Sequence, residues 1–155
     1  MSLISMIERI KKERPANVGS FFHGIDHWDR VHANGLKLCK YFNADPEVIR
    51  YFAYLHDSCR SNEDMDPKHG PRAAKFIDEL RDDIDLDDSQ VRLLKRACSG
   101  HTHANSGIQA GLDDTLACCW NADRLDIERV GLTLDPNKLF SKNIVELEFI
   151  LSCKS

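Results

Sequence analysis

No stretch of this sequence approaches the ~20 consecutive apolar residues that a bilayer-spanning helix needs, so no membrane partner is expected. Its first residues, Met1-Ser2-Leu3-Ile4-Ser5-Met6-Ile7-Glu8, lack the positive start, long apolar stretch and small-residue cleavage site of a signal peptide, and a cytoplasmic protein is expected. A disulfide framework is missing as well. The six cysteines, at 39, 59, 98, 118, 119 and 153, show no framework spacing and two of them are adjacent. Several fall where small core residues belong, so reduced thiols are the simpler reading. Nor is there a basic cluster. With 21 Lys and Arg against 25 Asp and Glu, and a net charge of -4, the scattered cations build no general nucleic-acid surface. A small phosphorylated ligand is not excluded by that balance. Internal repeats, low-complexity tracts and a second domain boundary are also absent. The 155 residues therefore read as a single domain, long enough to bury a core without staples. Oligomeric state leaves no signal in the sequence.

What the chain has in quantity is helical periodicity. Leu3, Ile7 and Ile10 predict a short amphipathic helix over 3–14, stopped at Pro15, and residues 16–24 read as a loop. Asp26 is a plausible cap for a helix running to about Asn43, with Trp28, Val31, Gly35, Leu38, Cys39 and Phe42 on its apolar stripe. Pro46 opens the next helix, whose stripe is Ile49, Phe52, Ala53 and His56. Residues 58–68 are polar and turn-rich, a loop able to close over a substrate. A further helix carries His69, Ala73, Phe76, Ile77 and Leu80, and the acidic Arg81 to Asp88 reads as a solvated linker. Two more stripes follow: Val91, Leu94, Ala97, Cys98 and His101, then Leu112, Leu116, Cys119, Trp120 and Asp123. The pattern weakens through 126–136, and a last helix over 143–152 is expected to turn Ile144, Leu147 and Leu151 inward. The fold class is all-α, a compact helical bundle around one core.

The stripes contain intruders. His27, His56, His69, His101 and Asp123 each occupy, or lie beside, an otherwise apolar face, and Asp57 follows His56 directly. For any single histidine, burial against a backbone carbonyl is commoner than metal ligation. The dipeptide His56-Asp57 is also weak alone, since a shuffled chain of this composition would hold about one His-Asp pair. A buried carboxylate is harder to dismiss, because an unpaired aspartate in a core costs several kcal/mol. One divalent metal held by His27, His56, Asp57 and Asp123 satisfies all four at once, and His69 with His101 can complete a second site bridged by Asp57. Imidazole and carboxylate donors without thiolate suit Mn, Fe, Co, Ni or Zn, one or two ions, with positions left open for water. A zinc site on Cys98 and His101 lacks a second cysteine cluster to close it.

His27, then His56-Asp57, then Asp123 resembles the signature of the HD-domain superfamily of metal-dependent phosphohydrolases. The segments His23 to Val31, His69 to Ala74 and Cys119 to Asp126 resemble those of small bacterial HD proteins. The resemblance implies an all-helical HD core over about 20–126 with a C-terminal helical extension over 127–155, those four residues as metal ligands, and His69 and His101 as the extra histidines of two-metal branches. Where some two-metal relatives have Lys three residues after the Asp, this chain has Arg60, a fork-shaped guanidinium in place of a point charge.

The expected function is hydrolysis of a small phosphorylated substrate, a phosphomonoester, phosphodiester or nucleotide, by metal-activated water. Asp57 is the central catalytic residue in this reading. Arg30 and Arg60 are the candidate cations for the transferred group, with an ordinary salt bridge as the competing role for each. His103 is a candidate substrate contact or a loop residue. His23 can line the pocket or belong to the loop, His32 reads as solvated, and Asp126 can orient a ligand or a cation from behind. Two alternatives stay open: a di-iron oxygenase of the same fold, and a non-catalytic ligand-binding HD module.

Overall fold

The computed structural model describes residues 2–154; Met1 and Ser155, which the sequence reading assigns to the same domain, lie outside the described residues. Helix α1 (Leu3–Glu13) is capped by the Ser2 hydroxyl and buries Met6 and Ile10. Pro15 does not simply stop it. It opens a one-turn helix, α2 (Pro15–Val18), inside the segment expected to be loop, as a proline does at a first helical position. Helix α3 (Ile25–Cys39) follows Gly24, so Asp26 sits in the first turn rather than at the cap, and the helix ends four residues before Asn43.

Helix α4 (Pro46–Leu55) is capped by Asp45, whose carboxylate accepts the Glu47 and Val48 N–H groups. Seven of its ten residues are buried, because α3, α6 (Asp88–Gly100) and α7 (Asp114–Arg124) all pack against it. The α3–α4 approach is close enough that a Cβ on Gly35 would collide with the Ile49 side chain. Helix α5 (His69–Glu79) packs on α6, and a Cβ on Gly70 would lie 2.5 Å from the Cys98 carbonyl oxygen.

The acidic stretch between α5 and α6 departs from the solvated linker expected of it. Ile84 and Leu86 are buried, Asp83 pairs with Arg9, and Asp87 forms a capping box with Gln90 at the start of α6. Its carboxylates are local caps and partners, a use that net charge along a run does not reveal. Asp113 caps α7 by accepting the Leu116 N–H, without a reciprocal side chain.

Beyond α7 the chain makes 3₁₀ turns at Ile127–Val130 and Pro136–Lys138 and a two-residue strand, β2 (Phe140–Ser141), which pairs in parallel with β1 (Gly107–Ile108) from the connection between α6 and α7. The buried Asn121 amide holds β2, donating to the Phe140 carbonyl at 2.7 Å and accepting its N–H at 2.8 Å. Helix α8 (Ile144–Ser152) is capped by Asn143, but Ile144 points outward and Ile150 is its buried residue. Leu147 and Leu151 are half-buried against the core. The strand pair holds the start of α8 and shifts the inward face. Apart from that pair the described residues are all-α, and no helix among them is long and apolar enough to cross a membrane.

Candidate metal centre

Five helix ends meet at one point. The first turn of α3 brings His27, the residue after α4 is His56 with Asp57 behind it, α5 begins at His69, the residue after α6 is His101, and the last turn of α7 carries Asp123. Three of those ends are C-terminal, where the partial negative charge of the carbonyls favours a cation. His27, His56, Asp57, His69 and His101 are each at most 2% exposed.

Each imidazole is oriented through Nδ1. His27 Nδ1 donates to Asp126 Oδ2 at 2.7 Å, His56 Nδ1 to the Ala53 carbonyl at 3.0 Å, His69 Nδ1 to the Asp66 carbonyl at 2.5 Å and His101 Nδ1 to the Cys98 carbonyl at 2.7 Å. In the neutral ring this leaves the Nε2 lone pair facing the cluster. The lone pairs then confront one another, with His27 and His56 Nε2 atoms 3.1 Å apart and those of His69 and His101 2.8 Å apart. Such pairs repel unless a cation lies between them.

Asp57 stands between the two pairs. Its Oδ2 is 3.3 Å from Nε2 of both His27 and His56, and its Oδ1 is 3.0 Å from His69 Nε2 and 3.6 Å from His101 Nε2. Asp123 Oδ1 completes the first group at 3.1 Å from His27 and 3.4 Å from His56. Asp57 Oδ2 and Asp123 Oδ1 are buried yet accept no hydrogen bond. Donor atoms bound to a metal at ~2.1 Å are roughly 2.9–3.4 Å apart in tetrahedral or octahedral arrangements. The five separations in the first group that involve a histidine, 3.1 to 3.4 Å, match that spacing. Asp57, His69 and His101 form a second group of possible ligands sharing the same carboxylate. These residues fit one or two metal ions.

The electrostatics make the same demand. Burial lowers the pKa of His56, but Asp57 and Asp123 outweigh it and raise the group to about 10. Burial likewise opposes protonation of His27, and Asp123, Asp126 and Asp57 reverse it. Burial acts on both carboxylates in the upward direction, yet the positive charge favoured on His56 and the neighbouring imidazoles holds Asp57 and Asp123 well below the usual carboxylate range. His101 goes the other way, lowered first by burial and further by the charge on His56. The carboxylates thus favour positive charge on His27 and His56, the same sign that a bound cation would bring.

Two arginines approach the cluster. Arg60 Nη1 is 3.7 Å from Asp57 Oδ1 and 3.1 Å from His69 Nε2, and Nη2 is tied to the Asp64 carbonyl at 2.6 Å. Arg129, on the 3₁₀ turn after α7, brings Nη2 to 3.7 Å from Asp123 Oδ1 and 4.0 Å from Asp57 Oδ2. Sequence reasoning missed Arg129, because it lies in a passage without periodicity. The one available signal was its place three residues after Asp126, whose carbonyl it contacts at 3.0 Å. His23 is also buried here, with Nδ1 3.5 Å from Asp57 Oδ2 and Nε2 donating to the Glu63 carbonyl at 3.1 Å. The Glu63 carboxylate accepts the Ser20 hydroxyl and the Phe22 N–H, so the 58–68 loop is latched to the 19–24 segment.

The other site candidates lie apart from the cluster. Arg30 is half exposed, and its Nε donates to both oxygens of Asp126 at 2.8 and 3.0 Å, so it reaches the ligands only through the Asp126–His27 contact. His103 Nε2 bonds the Pro67 carbonyl at 2.6 Å on the surface. His32, expected to be solvated, is half-buried beside the Tyr54 hydroxyl at 3.1 Å, because α3 turns it toward α4. All six cysteines are free, and none belongs to either group of possible ligands.

No family model matches the chain, and no curated protein or solved structure matches it either. The structure thus stands as a helical domain with a buried His/Asp cluster able to bind metal.

Proposed function

We propose that this protein is a metal-dependent phosphohydrolase, of the HD type its motif resembles, acting on a small phosphorylated molecule. The observation that carries the reading is the pair of buried carboxylate oxygens on Asp57 and Asp123, without hydrogen-bond donors, facing inward-turned imidazole nitrogens. A divalent ion bound there supplies Lewis acidity and lowers the pKa of a water, which is what phosphate-ester hydrolysis near neutral pH requires. Asp57 draws the two ligand groups together, and the Nδ1 contacts keep the four imidazoles in the ligating tautomer. Arg60 and Arg129 place two guanidinium groups against the carboxylates, suited to balancing the charge of a phosphoryl group. Arg30 keeps Asp126 in place behind His27.

A second reading, di-iron oxygenase chemistry, draws on one feature: two ligand groups share a single carboxylate. The same measurement separates the two. Metal content is determined by plasma mass spectrometry on protein purified without chelator or metal-affinity resin, beside Asp57→Ala. The protein is then loaded with Mn, Co, Ni, Fe or Zn and assayed on p-nitrophenyl phosphate and its bis-ester. Metal present in wild type, lost in Asp57→Ala, with oxygen-independent release of nitrophenol, is expected. Iron with turnover only in the presence of O₂ favours the oxygenase, and absence of metal after reloading removes both enzyme readings and leaves the ligand-binding module.

A further inference from the structure

The residues that follow two of the ligands lead away from the cluster into a separate cavity. His101 is succeeded by the loop 102–106 and Asp123 by Arg124 and the segment 127–138, and between these lies a cavity of about 580 Å³. That volume falls within the range of small-molecule sites. Ile127, Leu132 and Leu134 supply apolar wall, Thr133 supplies a hydroxyl, Ser106 spends its own on the Asn137 carbonyl, and Arg124 and Lys138 supply positive charge.

Arg124 makes the cavity more than a surface hollow. Its Nη1 donates to the Lys138 carbonyl at 2.6 Å and its Nη2 to the His101 carbonyl at 3.4 Å, while the guanidinium carbon lies 4.5 Å above the Phe140 ring. It is held in place, but by neutral acceptors and an aromatic face. Among the described residues no carboxylate comes within ion-pair distance of Arg124 or Lys138. Asp123 aims its carboxylate into the cluster, and Asp135, the one carboxylate on the cavity wall, accepts the Asn137 N–H at 2.9 Å through Oδ1 and pairs with neither cation. A partly buried guanidinium with no carboxylate at ion-pair distance is a costly arrangement that a bound anion relieves.

We propose that this cavity is a binding site for a small organic anion, with the acidic group on Arg124 and Lys138 and an apolar body against Ile127, Leu132 and Leu134. The site is distinct from the metal centre and does not depend on its chemistry. Arg124 joins the two physically, since it follows Asp123 in the chain and bonds the carbonyl of His101.

The test is a titration of the ¹⁵N-labelled protein, as purified, with benzenesulfonate, followed by amide chemical shifts. Benzenesulfonate is a poor metal ligand, so its binding reads the cavity whatever the metal content, which is measured separately. Saturable shifts confined to 102–106 and 127–138 are expected. Neutral benzamide should bind about 10- to 100-fold more weakly, the range for losing a charge-assisted hydrogen bond. Lys138→Glu and Arg124→Gln should weaken the sulfonate at least as much, and Thr133→Trp, which fills the cavity from an exposed position, should abolish binding. Lys138 and Thr133 are exposed, so their variants keep the test decisive should Arg124→Gln unfold. Shifts absent from both segments, or equal affinities for sulfonate and benzamide, would overturn the proposal.

Discussion

Asp126 Oδ2 accepts the Nδ1 proton of His27 at 2.7 Å across 99 positions of sequence, and the same carboxylate is clamped from the solvent side by Arg30. The contact decides which nitrogen of His27 is free to ligate. Asp126→Ala is therefore expected to lower metal affinity about 10- to 100-fold with little change in fold, the usual cost of losing such a partner. Arg30→Ala should produce a smaller loss in the same direction. Competition against a chromophoric chelator measures both, and unchanged affinity in Asp126→Ala would remove Asp126 from the site.

The bridging position of Asp57 predicts unequal stoichiometries. Asp57→Ala is expected to lose all bound metal, whereas His69→Ala and His101→Ala should spare the ion held by His27, His56 and Asp123. Metal per chain, counted by plasma mass spectrometry on the four proteins, distinguishes a shared carboxylate from two independent sites. Equal losses in all three variants would point to a single ion.

Removal of metal exposes a pH dependence with a defined sign. His56 is raised to about 10 in the folded protein, against ~6.5 for an unfolded histidine. Its stabilising contribution is present in full below about pH 6.5 and is lost as pH climbs toward the folded value. Asp57 and Asp123 are shifted downward, so their contribution disappears only in acid. The melting temperature of chelator-treated protein should fall on going from about pH 6.5 to about pH 10. Metal-loaded protein should hold its melting temperature better over the same interval, since bound metal replaces the protons. Scanning fluorimetry on the two samples reads the difference, and parallel curves would count against proton–metal exchange.

Arg60 and Arg129 are expected to affect turnover more than metal retention. Arg129→Ala should reduce kcat for a phosphate ester by roughly 10²- to 10³-fold, the scale seen when one charge-stabilising donor is removed. Arg60→Lys should recover part of the loss seen in Arg60→Ala, because charge survives and the fork geometry does not. Activity normalised to bound metal is the readout, and full activity in both alanine variants would reassign the arginines to structure.

Gly70 lets α5 approach the Cys98 carbonyl on α6, and that approach brings His69 and His101 together. Gly70→Ala forces the two helices apart and is expected to cost about 1–3 kcal/mol of stability. It should also weaken the ion on His69 and His101 more than its neighbour. Chemical denaturation and metal titration of the variant provide the two measurements.

Much of this molecule is legible from local pattern. The apolar stripes locate α3 to α7, and the ionisable intruders at their ends single out the six residues that the fold gathers into two groups of possible ligands, because a helix end is visible wherever periodicity stops and a buried charge is conspicuous wherever an apolar residue is expected. The limits of the reading are equally physical. Ile144 turned outward because pairing of β1 with β2 across 33 positions sets the start of α8, and a two-residue strand leaves no alternation to detect.

The residue types, their helix faces and the mixed imidazole–carboxylate chemistry are thus properties of the chain order, since they rest on 3.6-residue periodicity and on what burial permits. Tautomer, the spacing of the possible ligand atoms, the entry of Arg129 and His23, and the diversion of Arg30 to Asp126 belong to the packed state. Each depends on where a side chain from one helix end or loop meets a group remote in sequence, and no local preference of the backbone encodes such a meeting.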